Sequence, residues 1–349
     1  MIKFALIGCG RIAPKHVECL KKLDNAEIIA VCDIDKEKAE KYSKNLNVPF
    51  YTDYREMLTK ENADVISILT PSGLHWEMAI DAMNHGKHVV VEKPMALKIH
   101  HADMMIEAAD NNGVRLFVVK QNRFNSSVVK AREALDTGRL GKLVLGTVRV
   151  RWSRDQSYYN LDGWRGTWAL DGGVLTNQAS HHIDLLQWFF GNVESVMAMT
   201  TTALVNIETE DTGVAILKFT NGALGIIEAT TATRPKDLEG SLSILGEKGS
   251  IVIGGFAVNK IQTWEFSESI PEDIEIKEKY KENPPNVYGF GHEPYLRHVI
   301  DSLDSGKSAL VDGMAGRKSL EIINAIYESA VTGKRVFIHN QFSNSPLGE

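Results

Sequence analysis

Lys93 stands in the triplet Glu92-Lys93-Pro94, directly after the apolar run His88-Val89-Val90-Val91. In open α/β sheets, ligands bind beyond the carboxyl ends of the strands. An ammonium group there can hydrogen-bond a substrate hydroxyl and stabilise the charge that grows on its oxygen as hydride leaves. Pro94 restricts the backbone beside it. His181 closes the stretch Asn177-Gln178-Ala179-Ser180-His181, just after Asp171-Gly172-Gly173. One imidazole can act as a base near neutral pH. Asn177 precedes His181 by four positions, which on a helix puts both on one face. The amide can then orient the substrate or the ring. His181 and His182 would point about 100° apart on a helix, so at most one faces a site. Asp184 reads as a cap or a helix contact, with steering of His181 as the alternative.

Hydride chemistry needs a cofactor, and the N-terminus carries a pattern for one. The run Ile2-Lys3-Phe4-Ala5-Leu6-Ile7 ends in Gly8-Cys9-Gly10-Arg11-Ile12-Ala13, and Ile28-Ile29-Ala30-Val31-Cys32 ends on Asp33. Strand, glycine turn, helix, strand and acid are the order of a dinucleotide site. Gly8 allows the tight turn, Gly10 lets the backbone approach a pyrophosphate, and Ala13 is small enough for the helix to pack on the strand. Arg11 and Ile12 open that helix, whose free N–H groups attract phosphate. Asp33 lies roughly 20 residues beyond the turn, where a carboxylate binds ribose hydroxyls. It would repel a 2′-phosphate, so NAD is favoured over NADP. The plainer alternative is a βα turn with no ligand.

Arginines and rings supply the remaining polar chemistry. Lys120-Gln121-Asn122-Arg123-Phe124 lies at a change of texture, and Trp164-Arg165-Gly166-Thr167-Trp168 follows Tyr158-Tyr159 in a long loop over 153–173. Flat aromatics stack on sugars or bases, and arginines hold phosphates or carboxylates bidentately. A polar, anionic, ring-containing substrate fits; packing of the loop on itself is the alternative. His75 suits a place near a nicotinamide or a helix start. No metal site is expected, since His100-His101 lacks a Cys or carboxylate partner at ligand spacing, and no GxSxG elbow is present.

The elements behind these groups fall into two patterns. Residues 1–121 alternate continuous apolar runs with helical stretches, which implies a parallel sheet covered on both faces. From 122 to 339 the chain gives a helix, a half-buried strand, the long loop, a helix over His181–Phe190, and strand-like runs split by turns such as Asn221-Gly222. This reads as a second α/β domain with a largely antiparallel open sheet, closed by helices near Tyr295–Leu303 and Gly316–Val331. Residues 340–349 read as a frayed polar tail. With 43% hydrophobic and 24% charged residues and net charge −6, nucleic acid and anionic membranes are unlikely general partners. No apolar run approaches the ~20 residues of a membrane span, and a signal peptide is not expected. Three cysteines without CxxC spacing suit a reducing cytoplasm.

Together, Gly8-x-Gly10-x-x-Ala13, Thr70-Pro71 with His75, Glu92-Lys93-Pro94, and Gly172-Gly173 before a helix with His181 resemble the glucose–fructose oxidoreductase / inositol dehydrogenase / MocA family over nearly the whole chain. The resemblance implies an α/β protein with a doubly wound Rossmann domain followed by an α/β domain whose open sheet builds homodimers or homotetramers. It implies oxidation or reduction of sugar and cyclitol hydroxyls with NAD(P), with Lys93 and His181 as the catalytic pair. Thr70, Pro71, His75, Glu92, Lys93 and Gln121 would join the glycine loop and Asp33 around NAD. Many members carry Asp where this chain has Asn177, so a binding role is implied there. Asn122-Arg123-Phe124, Trp164–Trp168 and Leu175-Thr176-Asn177-Gln178 are similar to a narrower branch, the UDP-N-acetylglucosaminuronate 3-dehydrogenases of surface-polysaccharide pathways. Some of these keep NADH bound and reoxidise it with 2-oxoglutarate. On that reading Asn122, Arg123, Tyr159, Trp164, Arg165, Asn177, Gln178, Lys93 and His181 contact the sugar. A dehydrogenase of free sugars or myo-inositol, and a non-catalytic NAD-binding regulator, are the competing readings.

Overall fold

The apolar runs of the first third become strands, and helices separate them: β1 (Ile2–Ile7), α1 (Ala13–Leu20), β2 (Ala26–Cys32), α2 (Lys36–Leu46), β3 (Phe50–Tyr51), α3 (Tyr54–Lys60), β4 (Val65–Ile68), α4 (His75–Asn84), β5 (His88–Val91), α5 (Ile99–Asn112) and β6 (Leu116–Val118). The strands pair in the order β3-β2-β1-β4-β5-β6, all parallel. β4 is buried throughout and β5 along Val89–Val91, as a sheet covered on both faces requires. The order reverses between β1 and β4, the switch point where such sheets bind ligands. Asp35 and Asp53 cap α2 and α3 by accepting backbone N–H groups.

The second sheet is built by a different pattern. A short 3-10 turn (Gln121–Phe124) leads into α6 (Ser126–Asp136), β7 (Leu143–Arg151), α7 (Gln156–Tyr159) and α8 (Ser180–Phe190). Then come β8 (Val193–Thr201), β9 (Thr212–Phe219), β10 (Leu224–Thr230), β11 (Glu239–Gly246), β12 (Gly249–Gly254), β13 (Lys260–Phe266) and α9 (Asp273–Lys279). After α10 (His292–Ser305) and α11 (Gly313–Thr332), β14 (Val336–Phe337) completes the order β13-β12-β11-β7-β10-β9-β8-β14. Among these pairings, β7 with β10 is parallel and the others are antiparallel. β9 and β10 alternate buried and exposed side chains, so one face is packed and one is open. Helix α8 packs on β7 and β11. Gly146 permits this close approach: a Cβ there would come within 2.5 Å of Leu186 and Phe190. Ile183, Leu185, Leu186, Phe189 and Phe190 are all buried, worth roughly 10 kcal/mol in gross burial. That anchors the helix carrying His181.

This computed structural model describes residues 1–282, 289–338 and 342–349. Two compact units divide the chain: Met1–Val119 with His292–Arg317, and Lys120–Gly291 with Lys318–Glu349. On the outgoing chain the first unit ends at Val119, and α10 returns to it, where it packs against α1. Sequence reading did not foresee β13, α9 or β14. The long loop contains α7. Of the tail, 340 and 341 lie outside the described residues, whereas Leu347 is fully buried and the Gly348 N–H donates to the Trp168 carbonyl at 2.8 Å. It is therefore packed rather than frayed at that point.

Candidate active site

The glycine loop after β1 is shaped by sterics. Gly8 has φ 103°, and a Cβ there would lie 2.9 Å from the Leu69 carbonyl carbon and oxygen. Only glycine fits. Gly10 is the reverse case: a Cβ would meet nothing within 4 Å, which leaves open space on the loop's outer side. Helix α1 starts from Ile12 without a side-chain cap and has Pro in its first turn. Arg11 and Gly10 are exposed there. At the end of β2, Asp33 Oδ2 accepts the Cys9 N–H at 2.8 Å and Oδ1 accepts the Asp35 N–H at 2.9 Å. Each oxygen keeps a second lone pair, free to accept a ribose hydroxyl. An open cradle, an uncapped helix N-terminus and a fixed carboxylate fit a dinucleotide. Cys9 is a buried thiol pushed up to about 12 by burial, consistent with a packing role.

The loops after β4 and β5 are stapled together. His75 is fully buried, with Nδ1 and Nε2 each 2.8 Å from a carbonyl oxygen, of Pro94 and Thr70 respectively. Burial lowers its pKa against the pull of those carbonyls. His75 begins α4, the helix-start place that is its alternative reading, and its ring holds Thr70 and the turn beside Lys93. Pro71 opens the 3-10 turn Ser72–Leu74. Glu92 is buried; its Oε1 lies 2.9 Å from His16 Nε2, and its Oε2 accepts the Lys93 backbone N–H at 3.1 Å. Burial alone would raise this carboxyl, but the His16 hydrogen bond and the charges of His16, His292 and Lys93 bring it down to about 2. Lys93 itself is half-buried. His16, Glu92 and His292 offer ligand atoms within 4.8 Å of one another, the one such group among the described residues. Each Glu92 oxygen accepts one N–H group in this arrangement, and the His292 ring packs edge-on to that of His16.

In the second unit His181 sits at the start of α8, half-buried, with Nε2 2.9 Å from Gln121 Nε2. Gln121, expected at the cofactor, here reaches the His181 ring. Asn177 lies in the turn before α8, since the helix begins at Ser180. The shared-face argument therefore fails, and the Asn177 amide instead donates to Asp171 Oδ1. Asn122 and Gln178 are buried nearby in sequence. Arg123, expected to bind substrate, is spent elsewhere: Nε and Nη2 each donate to Asp184 at 2.8 Å. The Lys120 ammonium donates to Ser319 Oγ at 2.6 Å and stands 3.5 Å from Asp184. Burial would raise the Asp184 carboxyl; the two cations hold it below its usual range. Asp184 is thus the counter-ion of a buried cluster, not a cap. His182 is buried and burial drops it to about 3, so of the two imidazoles it is that of His181 that lies on a partly exposed residue.

The long loop folds on its own arginine. Arg165 donates to Asp162 at 3.0 Å and to the Tyr158 hydroxyl at 2.9 Å, and it lies over the Trp164 ring, 4.4 Å from the centroid. Tyr159 is buried, its hydroxyl 3.0 Å from Thr231 Oγ1. Tyr159 and Arg165 line a cleft of about 270 Å³ with Gln156, Asp162, Ile207 and Glu208. Trp164, Asn177, Gln178 and His181 do not line it.

Behind the Gly172-Gly173 turn lies a buried carboxyl that sequence reading missed. A Cβ at Gly173 would come within 2.1 Å of Glu210 Oε2. Glu210 Oε1 accepts the Leu175 N–H and the Tyr327 O–H, both at 2.9 Å. Burial nevertheless pushes this group up to about 7. His16 was missed as well. Its signal was a titratable residue on the apolar side of α1, in step with Ala13 and Leu20.

Residues 2–120 match the model of an oxidoreductase family with an NAD-binding Rossmann fold, and residues 132–338 match that family's C-terminal α/β domain. The chain belongs to this family. Among solved members, the WlbA dehydrogenase of Bordetella pertussis, in complex with NADH and UDP-GlcNAcA, is 42% identical with TM-score 0.91, covering 97% of this chain and 98% of that one. The WlbA dehydrogenase of Chromobacterium violaceum, with the same two ligands, is 45% identical with TM-score 0.91, covering 98% and 97%. A myo-inositol 2-dehydrogenase of Thermotoga maritima is 28% identical over 95% of this chain and 100% of its own. As a member of the family, the chain is an oxidoreductase with an NAD-binding domain. No helix among its described residues is long and apolar enough to cross a membrane.

Proposed function

We propose that this oxidoreductase uses NAD to oxidise the C3 hydroxyl of UDP-N-acetylglucosaminuronate, a step toward surface-polysaccharide sugars. The observation that carries this reading is the 42–45% identity, over nearly the full length, to two dehydrogenases solved with NADH and UDP-GlcNAcA. The open cradle at Gly10 and the fixed Asp33 carboxylate support NAD as the cofactor. Bound NAD supplies the hydride acceptor. His181 takes the hydroxyl proton on Nε2 once the Gln121 amide that donates to that nitrogen releases it. Lys93 orients the oxygen and stabilises its developing charge. Arg165 and Tyr159, with Asn122, Trp164, Asn177 and Gln178, serve the sugar and its diphosphate. Arg123 contributes through Asp184 rather than by contact. The hydride is passed on to 2-oxoglutarate in the cytoplasm.

A second reading, oxidation of a free cyclitol, draws on the inositol dehydrogenase relative. We also propose a homodimer or homotetramer built on the open sheet face. Met197, Ile216 and Ile226 lie in one cross-strand row and are 52%, 60% and 40% exposed. Contiguous apolar rows of this kind mark interfaces.

The test is mass spectrometry of UDP-N-acetylglucosaminuronate incubated with protein, NAD and 2-oxoglutarate. A sugar product two hydrogens lighter, with 2-hydroxyglutarate beside it, is expected. No change, with myo-inositol oxidised instead, transfers the assignment to cyclitols. Lys93→Met should lower turnover far more than NAD affinity; near-full turnover would remove Lys93 from the mechanism.

A further inference from the structure

Helix α1 buries a single imidazole among apolar neighbours. His16 is 0% exposed, beside Ala13 and Leu20. A polar ring in that place is costly unless its donor is used. It is used: the His16 ring reaches the Glu92 carboxylate, and the other oxygen of that carboxylate takes the peptide N–H of Lys93. The His292 ring of α10 stands edge-on to His16, centroids 5.9 Å apart, and closes the pocket. A continuous hydrogen-bonded path thus runs from the helix behind the glycine loop to the backbone of Lys93. Every member lies in the first unit.

We propose that His16 is a positioning residue for Lys93. By holding the Glu92 carboxylate it fixes the Lys93 peptide, and it ties the placement of the ammonium to the helix that receives the cofactor pyrophosphate. The proposal rests on the roles given above to Lys93 and NAD. Without the His16 donor, the buried carboxylate loses the partner that favours its charged form. It then takes up a proton or turns away, and the Lys93 peptide loses a charge-assisted acceptor.

The experiment compares wild type with His16→Leu, which removes the donor, and His16→Gln, whose amide N–H can replace Nε2–H. In the full-length protein, trace acetylation of Lys93 is read by peptide mass spectrometry against exposed Lys41 on α2. This readout needs no substrate. His16→Leu should acetylate Lys93 several-fold faster relative to Lys41, and His16→Gln should match wild type. In turnover, His16→Leu should lose about 100-fold in kcat with little change in KM, and His16→Gln should recover most of it. Should His16→Leu fail to fold, His16→Asn, too short to reach Glu92, carries the same expectation. Unchanged Lys93 acetylation in a folded donorless variant overturns the proposal. Altered acetylation with no oxidation of any sugar upholds the positioning role and sinks the substrate reading alone.

Discussion

Glu210→Gln should stabilise the protein at alkaline pH and hardly at all in acid. Glu210 is buried behind Gly173, and burial moves its carboxyl from 4.5 to about 7. Each unit is 1.36 kcal/mol, so the shift corresponds to about 3 kcal/mol. The folded state holds this proton more tightly than the unfolded chain does. The resulting stability is complete below about 4.5 and is lost as pH rises through about 7. Glutamine cannot ionise and escapes that loss. Two extra N–H hydrogens where the buried Oε2 has no hydrogen-bond partner add a pH-independent offset. Urea unfolding of both proteins, followed through Trp168 beside Tyr327, should give a stability difference that climbs by about 3 kcal/mol across this window and then flattens. His182, held at about 3 by burial, acts in the opposite sense: its stability is lost as pH falls below its unfolded value. It cancels in the subtraction. A flat difference, or one that falls with pH, refutes the reasoning.

Gly8→Ala and Gly10→Ala should separate folding from cofactor binding. The first collides with the Leu69 carbonyl and should cost about 2 kcal/mol or more in thermal unfolding. The second meets no protein atom and should leave stability within about 0.5 kcal/mol, while titration shows NAD affinity down about tenfold. Arg123→Ala strips Asp184 of its bidentate partner and should cost about 3 kcal/mol by urea unfolding; an undiminished midpoint with a raised KM would return Arg123 to the substrate. Ile216→Lys places a charge on the open sheet face and should shift light-scattering mass toward the monomer; an unchanged assembly would move the interface elsewhere.

The first sheet was legible because its strands are buried on both sides. Val65–Ile68 and His88–Val91 read as strands for that reason alone. The second sheet was legible where one face is open, as in β9 and β10, and failed at β13. Its sequence, Lys-Ile-Gln-Thr-Trp-Glu-Phe, mixes buried Ile261 and Trp264 with polar residues at uneven spacing, and a shift in its pairing with β12 breaks the alternation. At the proposed site, the glycine loop, Asp33, Lys93 and His181 drew attention because local chemistry favours their residue types at those places. Arg123 was misread because its partner Asp184 lies 61 positions away, and charge on a loop looks like a hand held out to ligand. Asn177 was misplaced because helical spacing was assumed one turn before the helix begins. Glu210 could not be seen at all, since its meaning depends on Tyr327 and Leu175.

The return of α10 sets an order on synthesis. As the chain leaves the ribosome, β1 through β6 emerge first, yet the helix that covers α1 emerges only after β7 through β13 of the second sheet. Until then His16 and Glu92 face solvent without His292 and Tyr295, and the buried side of α1 lacks its cover. A fragment ending at Val119 carries every nucleotide-binding motif but not this lid, and is expected to be sticky rather than soluble. The nucleotide domain is begun first, yet it is completed only after most of the second sheet has been made.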